Sequence, residues 1–155
     1  MTSNMSKQPA LLPMVEALQR LVPQLKKHAD GTRSLMPDDI LRALDDQGTE
    51  FLFVRLGAID WEIESSRLSD EDIYPLLHLS DAGHEGEVWI CTDDCFSRQL
   101  PPFKCDSSEL AEFIRSYDLG MFFDGDVVIL CPESRTLTIY HHSGGYTHVK
   151  FPLEV

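Results

Sequence analysis

Between residues 126 and 151 the chain carries three short runs rich in β-branched and aromatic residues, DVVILC, TLTIYHH and YTHVKF, separated by PESR and SGG. Runs of this kind, bounded by proline, serine and glycine, read as strands joined by tight turns. Because side chains alternate across a strand, the two loop lengths decide which residues share a face. A four-residue loop at 132–135 sets Cys131 opposite Thr136, Leu130 opposite Leu137, Val128 opposite Ile139 and Asp126 opposite His141. A three-residue loop at 143–145 then sets Ile139 opposite Val149 and Leu137 opposite Phe151, with a glycine for the left-handed position of the loop. A two-residue loop would bring the Val149 and Phe151 face against Thr138 and Tyr140 instead. The expected unit is an antiparallel meander with Val128, Leu130, Leu137, Ile139, Val149 and Phe151 on its inner face. Thr138, Tyr140, His142, Tyr146, His148 and Lys150 form the other, partly solvated face.

Upstream, the pattern is helical first. Leu11, Met14, Val15, Leu18, Leu21, Val22 and Leu25 recur at spacings of three and four, an amphipathic helix that Pro23 should kink or divide. Pro37 suits the first position of a second helix, with Asp38 and Asp39 in its positive first turn and Gly48 beyond its end. The continuous apolar run 51–54 suggests a strand covered on both faces. In 59–64, Ile59, Trp61 and Ile63 alternate with Asp60, Glu62 and Glu64, as in a half-exposed strand. Ser69 reads as an N-cap for a short helix opening with Asp70, Glu71 and Asp72. Residues 88–91 read as a strand, and Ser107 or Ser108 as the cap of a helix through Leu110, Phe113 and Ile114. The fold class is α+β: N-terminal helices, a central mixed or antiparallel sheet, and the C-terminal meander. A loose tail, 1–9, precedes one domain, 10–155, a length that buries about two thirds of its unfolded surface.

Charge narrows the partners. The chain has 26 acids and 13 bases, and sixteen of those acids face only four bases within residues 34–98. Such a field repels phosphate backbones and anionic membranes and attracts basic proteins. No apolar run approaches the roughly 18 residues of a membrane span, and the N-terminus lacks a secretory apolar core, so a cytoplasmic protein is expected. On a strand, Asp60, Glu62 and Glu64 would form a regular negative row about 6.6 Å apart, which Asp70, Glu71 and Asp72 extend in sequence. These six residues are the expected partner-binding surface.

Catalytic signatures are absent: there is no Gly-rich phosphate loop, no G-x-S-x-G and no H-E-x-x-H. The meander register instead gathers Tyr140, His142, Tyr146 and His148 at the hairpin end, a polar cluster that could bind a ligand or exchange protons near neutral pH. Asp126 and His141 can pair. Cys91, Cys95, Cys105 and Cys131 lack the paired C-x2-C spacing of a zinc knuckle and read as free thiols, so neither metal nor cofactor is expected. The loop containing His84 and the pair Asp93-Asp94 read as solvated polar groups.

The C-terminal segments FFDGDVVIL and LTIYHHSGGYTHVKF, in a small acidic α+β chain, resemble the immunity-type proteins that neutralise bacterial polymorphic or contact-dependent toxins. The resemblance implies a binding protein that covers the basic cleft of one cognate toxin, and it transfers a role without assigning residues. Two other readings stay open: a small enzyme or ligand-binding protein using the His/Tyr cluster, and an accessory structural subunit.

Overall fold

The computed structural model describes residues 9–56 and 61–152, apart from the Glu62 side chain. In chain order the elements are α1 (Leu12–Leu21), α2 (Leu25–His28), α3 (Pro37–Asp46), β1 (Val54–Arg55), α4 (Trp61–Ser65), α5 (Asp70–Ile73), β2 (Glu87–Cys91), α6 (Asp93–Ser97), β3 (Phe103–Asp106), α7 (Leu110–Arg115), β4 (Val127–Cys131), β5 (Thr136–His141) and β6 (Gly145–Lys150). Short 3-10 turns link several of them. The fold is α+β, with a six-stranded sheet ordered β1-β6-β5-β4-β2-β3, and every pairing is antiparallel. Of the expected tail, only Pro9 falls among the described residues, where it opens a 3-10 turn. No helix among the described residues is long and apolar enough to cross a membrane.

The sheet is covered on both faces. On one, α1, α2 and α3 bury Leu18, Leu25, Ile40 and Leu44 against Val128, Leu130, Leu137, Ile139, Val149 and Phe151, the six residues assigned to the inner face. On the other, Ile73, Leu77, Leu110, Ile114 and Phe122 pack on Val88, Ile90, Val127, Ile129, Tyr140 and Tyr146. The face expected to be partly solvated is therefore a second core, and Tyr140 is only 1% exposed. Pro23 separates α1 from α2, Pro37 opens α3, and Ser69 caps α5 through reciprocal bonds with Asp72, all as the sequence indicates. For α7 the preceding cap is the Asp106 side chain, which accepts from the Ser108 N–H, so neither serine is the N-cap.

Three expectations are corrected. The β4–β5 register is as expected, but β5–β6 pairs Ile139 with Thr147, Leu137 with Val149 and Tyr140 with Tyr146. The slip is two residues, so faces are preserved and partners change. The loop is 142–144, closed by the His141–Gly145 pair, with Gly144 at φ +97°. Both positions require glycine: the Phe53 ring lies where a Cβ on Gly145 would project, and a Cβ on Gly144 would stand 2.5 Å from Trp61 Cγ. Second, the 51–54 run is no interior strand. β1 is a two-residue edge, Phe51 and Phe53 turn inward, and Leu52 between them is 76% exposed. Third, Trp61–Ser65 is helical, and Ile59 and Asp60 lie outside the described residues. A helix rotates about 100° per residue, so buried Trp61 and 58%-exposed Ile63 fall on opposite sides of α4. Among the described residues, 61–65 form no strand that could carry a negative row.

Candidate functional site

Antiparallel pairing brings the end of β2, the start of β4 and the end of β5 to one end of the sheet, where Cys91 faces Val128 and Val127 faces Tyr140. The residues just beyond these strand ends, Asp93, Asp124, Asp126 and His142, line a cleft of about 490 Å³ together with Met121, Phe123, Tyr140 and two serines from the end of α4, Ser65 and Ser66. Aromatic and thioether groups form its floor, and carboxylates ring it. No lysine or arginine is among its lining residues.

The carboxylates differ in how far they are neutralised. Asp94 is paired with Arg98 at 3.3 Å and accepts from the Tyr117 hydroxyl. Asp126 accepts both the backbone N–H of His142, at 2.8 Å, and its Nδ1, at 2.7 Å. Asp93 has no such partner in the cleft. Partial burial, and after it the negative charges of Asp124, Asp126 and Asp94, push its carboxyl up from the ordinary aspartate value, against the opposing effect of His142. The cleft thus concentrates negative potential, as concave surfaces lined by one sign of charge do.

His141 and His142 stack with ring centroids 4.4 Å apart and planes 22° apart. The Ser143 N–H donates to His141 Nδ1, so the hydrogen-bond network assigns the ring proton to Nε2, which donates to Asp38 Oδ1 at 2.9 Å. The expected Asp126–His141 pair is thus replaced by Asp126–His142 and Asp38–His141. Asp126, His141 and His142 bring one ligand atom each within 4.8 Å of one another. A metal sits about 2.0–2.1 Å from an imidazole nitrogen and near the ring plane. Two nearly cofacial rings at this separation do not offer their planes to one ion, so chelation by both would require one ring to turn.

Of the six acids expected to meet a partner, Asp60 and the Glu62 side chain lie outside the described residues, and Glu64 and Glu71 are exposed. Asp70 and Asp72 make hydrogen bonds within the fold. Asp72 closes the α5 capping box, where hydrogen bonds from Ser69 hold its carboxyl below the ordinary value. Asp70 accepts the N–H groups of Phe122 at 2.8 Å and Phe123 at 3.0 Å. Asp70→Ala should therefore cost about 3 kcal/mol in urea denaturation, since it strands two amides bonded to a charged acceptor. A neutral outcome would mean that those amides find water.

The expected Tyr140, His142, Tyr146 and His148 group is drawn out along the sheet: Tyr140 and His142 both line the cleft and Tyr140 faces Tyr146, while His148 is engaged at the other end. Tyr140 accepts from Trp61 Nε1 at 2.8 Å, His142 turns to Asp126, and His148 bonds Thr138 and the Leu77 carbonyl. Tyr146 remains near His148, with ring centroids 5.3 Å apart. All four cysteines are free. The Cys91 thiol lowers its neighbour Cys95 to about 7 by hydrogen bonding, while its own is pushed well up. Asp93 and Asp124 escaped notice as a site because their neighbourhood depends on β2 lying beside β4. The local signal was present in two acid pairs, Asp93-Asp94 and Asp124-Gly125-Asp126, each abutting an apolar strand. No protein-family model, curated protein or solved structure matches this chain, so the chemistry of the cleft itself carries its functional reading.

Proposed function

We propose that this is an acidic cytoplasmic binding protein that sequesters a basic protein partner, taking a lysine or arginine side chain of that partner into the cleft ringed by Asp93, Asp124 and Asp126. The observation that carries this reading is the set of three carboxylates in a cleft whose described lining holds no lysine or arginine, although Asp126 also borders a second hollow with Arg33 and Arg42. A guanidinium or ammonium entering there meets charge on three sides and an apolar floor formed by Phe123 and Met121 for its methylene stem. Charge of this kind acts mainly on encounter and on partner choice. The role it suits is immunity to one toxin, by covering a basic active site.

The test is association with the captured partner under varied salt. Asp93→Lys with Asp124→Lys should leave the fold intact, because both side chains are exposed, while lowering the association rate at least tenfold and flattening its salt dependence. The control is Glu71→Lys with Asp118→Lys, two exposed acids that do not line the cleft. An equal loss in both double variants would assign the effect to net charge and overturn the cleft as the docking point.

A further inference from the structure

At the other end of β5 from the cleft, two histidines are joined in a chain whose every proton can be placed. His148 Nε2 lies 2.7 Å from the Leu77 carbonyl, which can only accept, so Nε2 carries the proton. Neutral His148 then accepts at Nδ1 from the Thr138 hydroxyl, at 2.8 Å. Having donated there, Thr138 Oγ1 must accept from His84 Nε2, also at 2.8 Å. His84 Nδ1 in turn accepts from the Thr136 hydroxyl at 2.6 Å, and Thr136 accepts from Ser134 at 2.7 Å. The Glu85 N–H donates to Ser134 at 3.3 Å and closes the series. Both ends are backbone groups of one segment, 77–86, so the chain straps that segment across the start of β5 and the middle of β6.

We propose that residues 77–86 form a pH-operated flap, held shut over the sheet by neutral His84 and His148 and released when they are protonated. The chain runs in one direction, and an extra proton at Thr138 reverses it. With His148 Nδ1 protonated, Thr138 Oγ1 accepts from both rings and its own hydrogen turns away. That hydroxyl hydrogen loses its acceptor, and the half-buried charge has no carboxylate bonded to it. The groups facing the pair are few. Asp81 and His78 approach from the flap, with opposite effects on His148, Asp45 and Glu50 share with it the hollow after α3, and β5 contributes only hydroxyls. Burial depresses both imidazoles, and His84 reaches about 4. His78, a non-glycine residue at φ 48°, joins the 3-10 turn Tyr74–Leu77 to the turn Leu79–Asp81 inside the flap. Leu77 and Leu79 seat the flap in the second core, and Cys131 and Ser107 hold its far end at Glu85 and Gly86.

Two measurements on the unmodified protein decide the matter. Nitrogen-15 NMR at pH 7.5 should show both rings neutral and protonated at Nε2, and an Nδ1–H form of either ring would overturn the chain. Hydrogen exchange should then show the opening of the Asp81 and Ala82 amides, which are bonded to His78 and Leu79 carbonyls. From pH 7.5 to pH 5 their protection factors should fall about 25-fold from His84 alone, the ratio set by 6.5 unfolded against about 4 folded. Because the unfolded chain binds the same proton, the amides of Val128, Ile129 and Leu130 in β4 should fall by no more than that factor and stay far better protected than the flap at both pH values. Constant protection in the flap, or flap amides as well protected as those of β4 at pH 5, would overturn the proposal. The double variant His84→Gln with His148→Gln preserves one donor and one acceptor on each side chain without titrating. It should lose this pH dependence, and retention of the full 25-fold change would assign it to other groups.

Discussion

Trp61→Ala is expected to cost about 3–5 kcal/mol of stability, the range for removing a large buried aromatic side chain, and to lower the melting temperature by about 10 °C. The ring is 3% exposed, packs in the second core, and occupies the space against Gly144 that any other residue there would need. Its removal opens a cavity over the β5–β6 turn and deprives the buried Tyr140 hydroxyl of its donor. Packing and hydrogen bonding can be separated with Trp61→Phe and Tyr140→Phe. Each single change breaks the same bond while retaining an aromatic ring, so each should cost about 1–2 kcal/mol and the double variant much less than their sum. Urea denaturation monitored by circular dichroism reads all four proteins. A loss below about 1 kcal/mol for Trp61→Ala would show that the ring does not hold α4 to the sheet.

Acid should weaken the fold well before its carboxylates titrate. His84 takes up a proton at about 4 in the folded protein against 6.5 for the ordinary side chain, and His148 is lowered in the same direction, with burial the largest cause for each. Between those values the unfolded chain binds protons that the folded chain refuses, so stability falls as pH drops from 6.5 and levels off near 4. The His84 shift alone amounts to about 3 kcal/mol across that window. Asp72 and Asp106 are lowered by hydrogen bonds from Ser69 and Ser108, so their contribution is lost only below the ordinary aspartate value of 3.8. Asp93, raised, acts with the opposite sign: its protonation favours the folded state as pH falls, an effect muted by solvent at an exposed side chain. Urea midpoints at pH 7.5, 6 and 4.5 should therefore decline together with the free energy. A midpoint that holds or rises toward pH 4.5 would place both imidazoles in water.

The sequence made the inner face of the meander legible because a period of two survives any even slip: Val128, Leu130, Leu137, Ile139, Val149 and Phe151 stay together whether the last turn is read at 142–144 or 143–145. The partners were not legible, since adjacent glycines satisfy a three-residue loop in either register. Equally hidden was the Phe53 ring over Gly145, a contact across more than ninety positions of chain. Alternation in 59–64 misled for a related reason. A window so short fits a strand or a single helical turn, and Trp61 chooses the turn by reaching Tyr140. The cleft was hidden further still, because Asp93, Asp124 and Asp126 become neighbours only through the strand order. His84, placed in a polar loop by its glycine neighbours, gave no local sign of the two threonine hydroxyls that hold it.

The strand order also dictates a timetable. The first strand of the chain pairs with the last, β1 with β6, and the N-terminal helices find their apolar counterpart mainly on residues 128–151. A nascent chain emerging at a ribosome's pace of about 5–20 residues per second thus exposes Leu11, Leu18, Ile40 and Leu44 with little to bury them against until β4, β5 and β6 follow. Loop closure between β1 and β6 comes with the largest sequence separation in the sheet, and it completes the seat of Trp61 over Gly144. Folding of these residues accordingly waits for β6, and a ribosome stalled before residue 127 should hold a chain that proteases cut throughout its N-terminal helices.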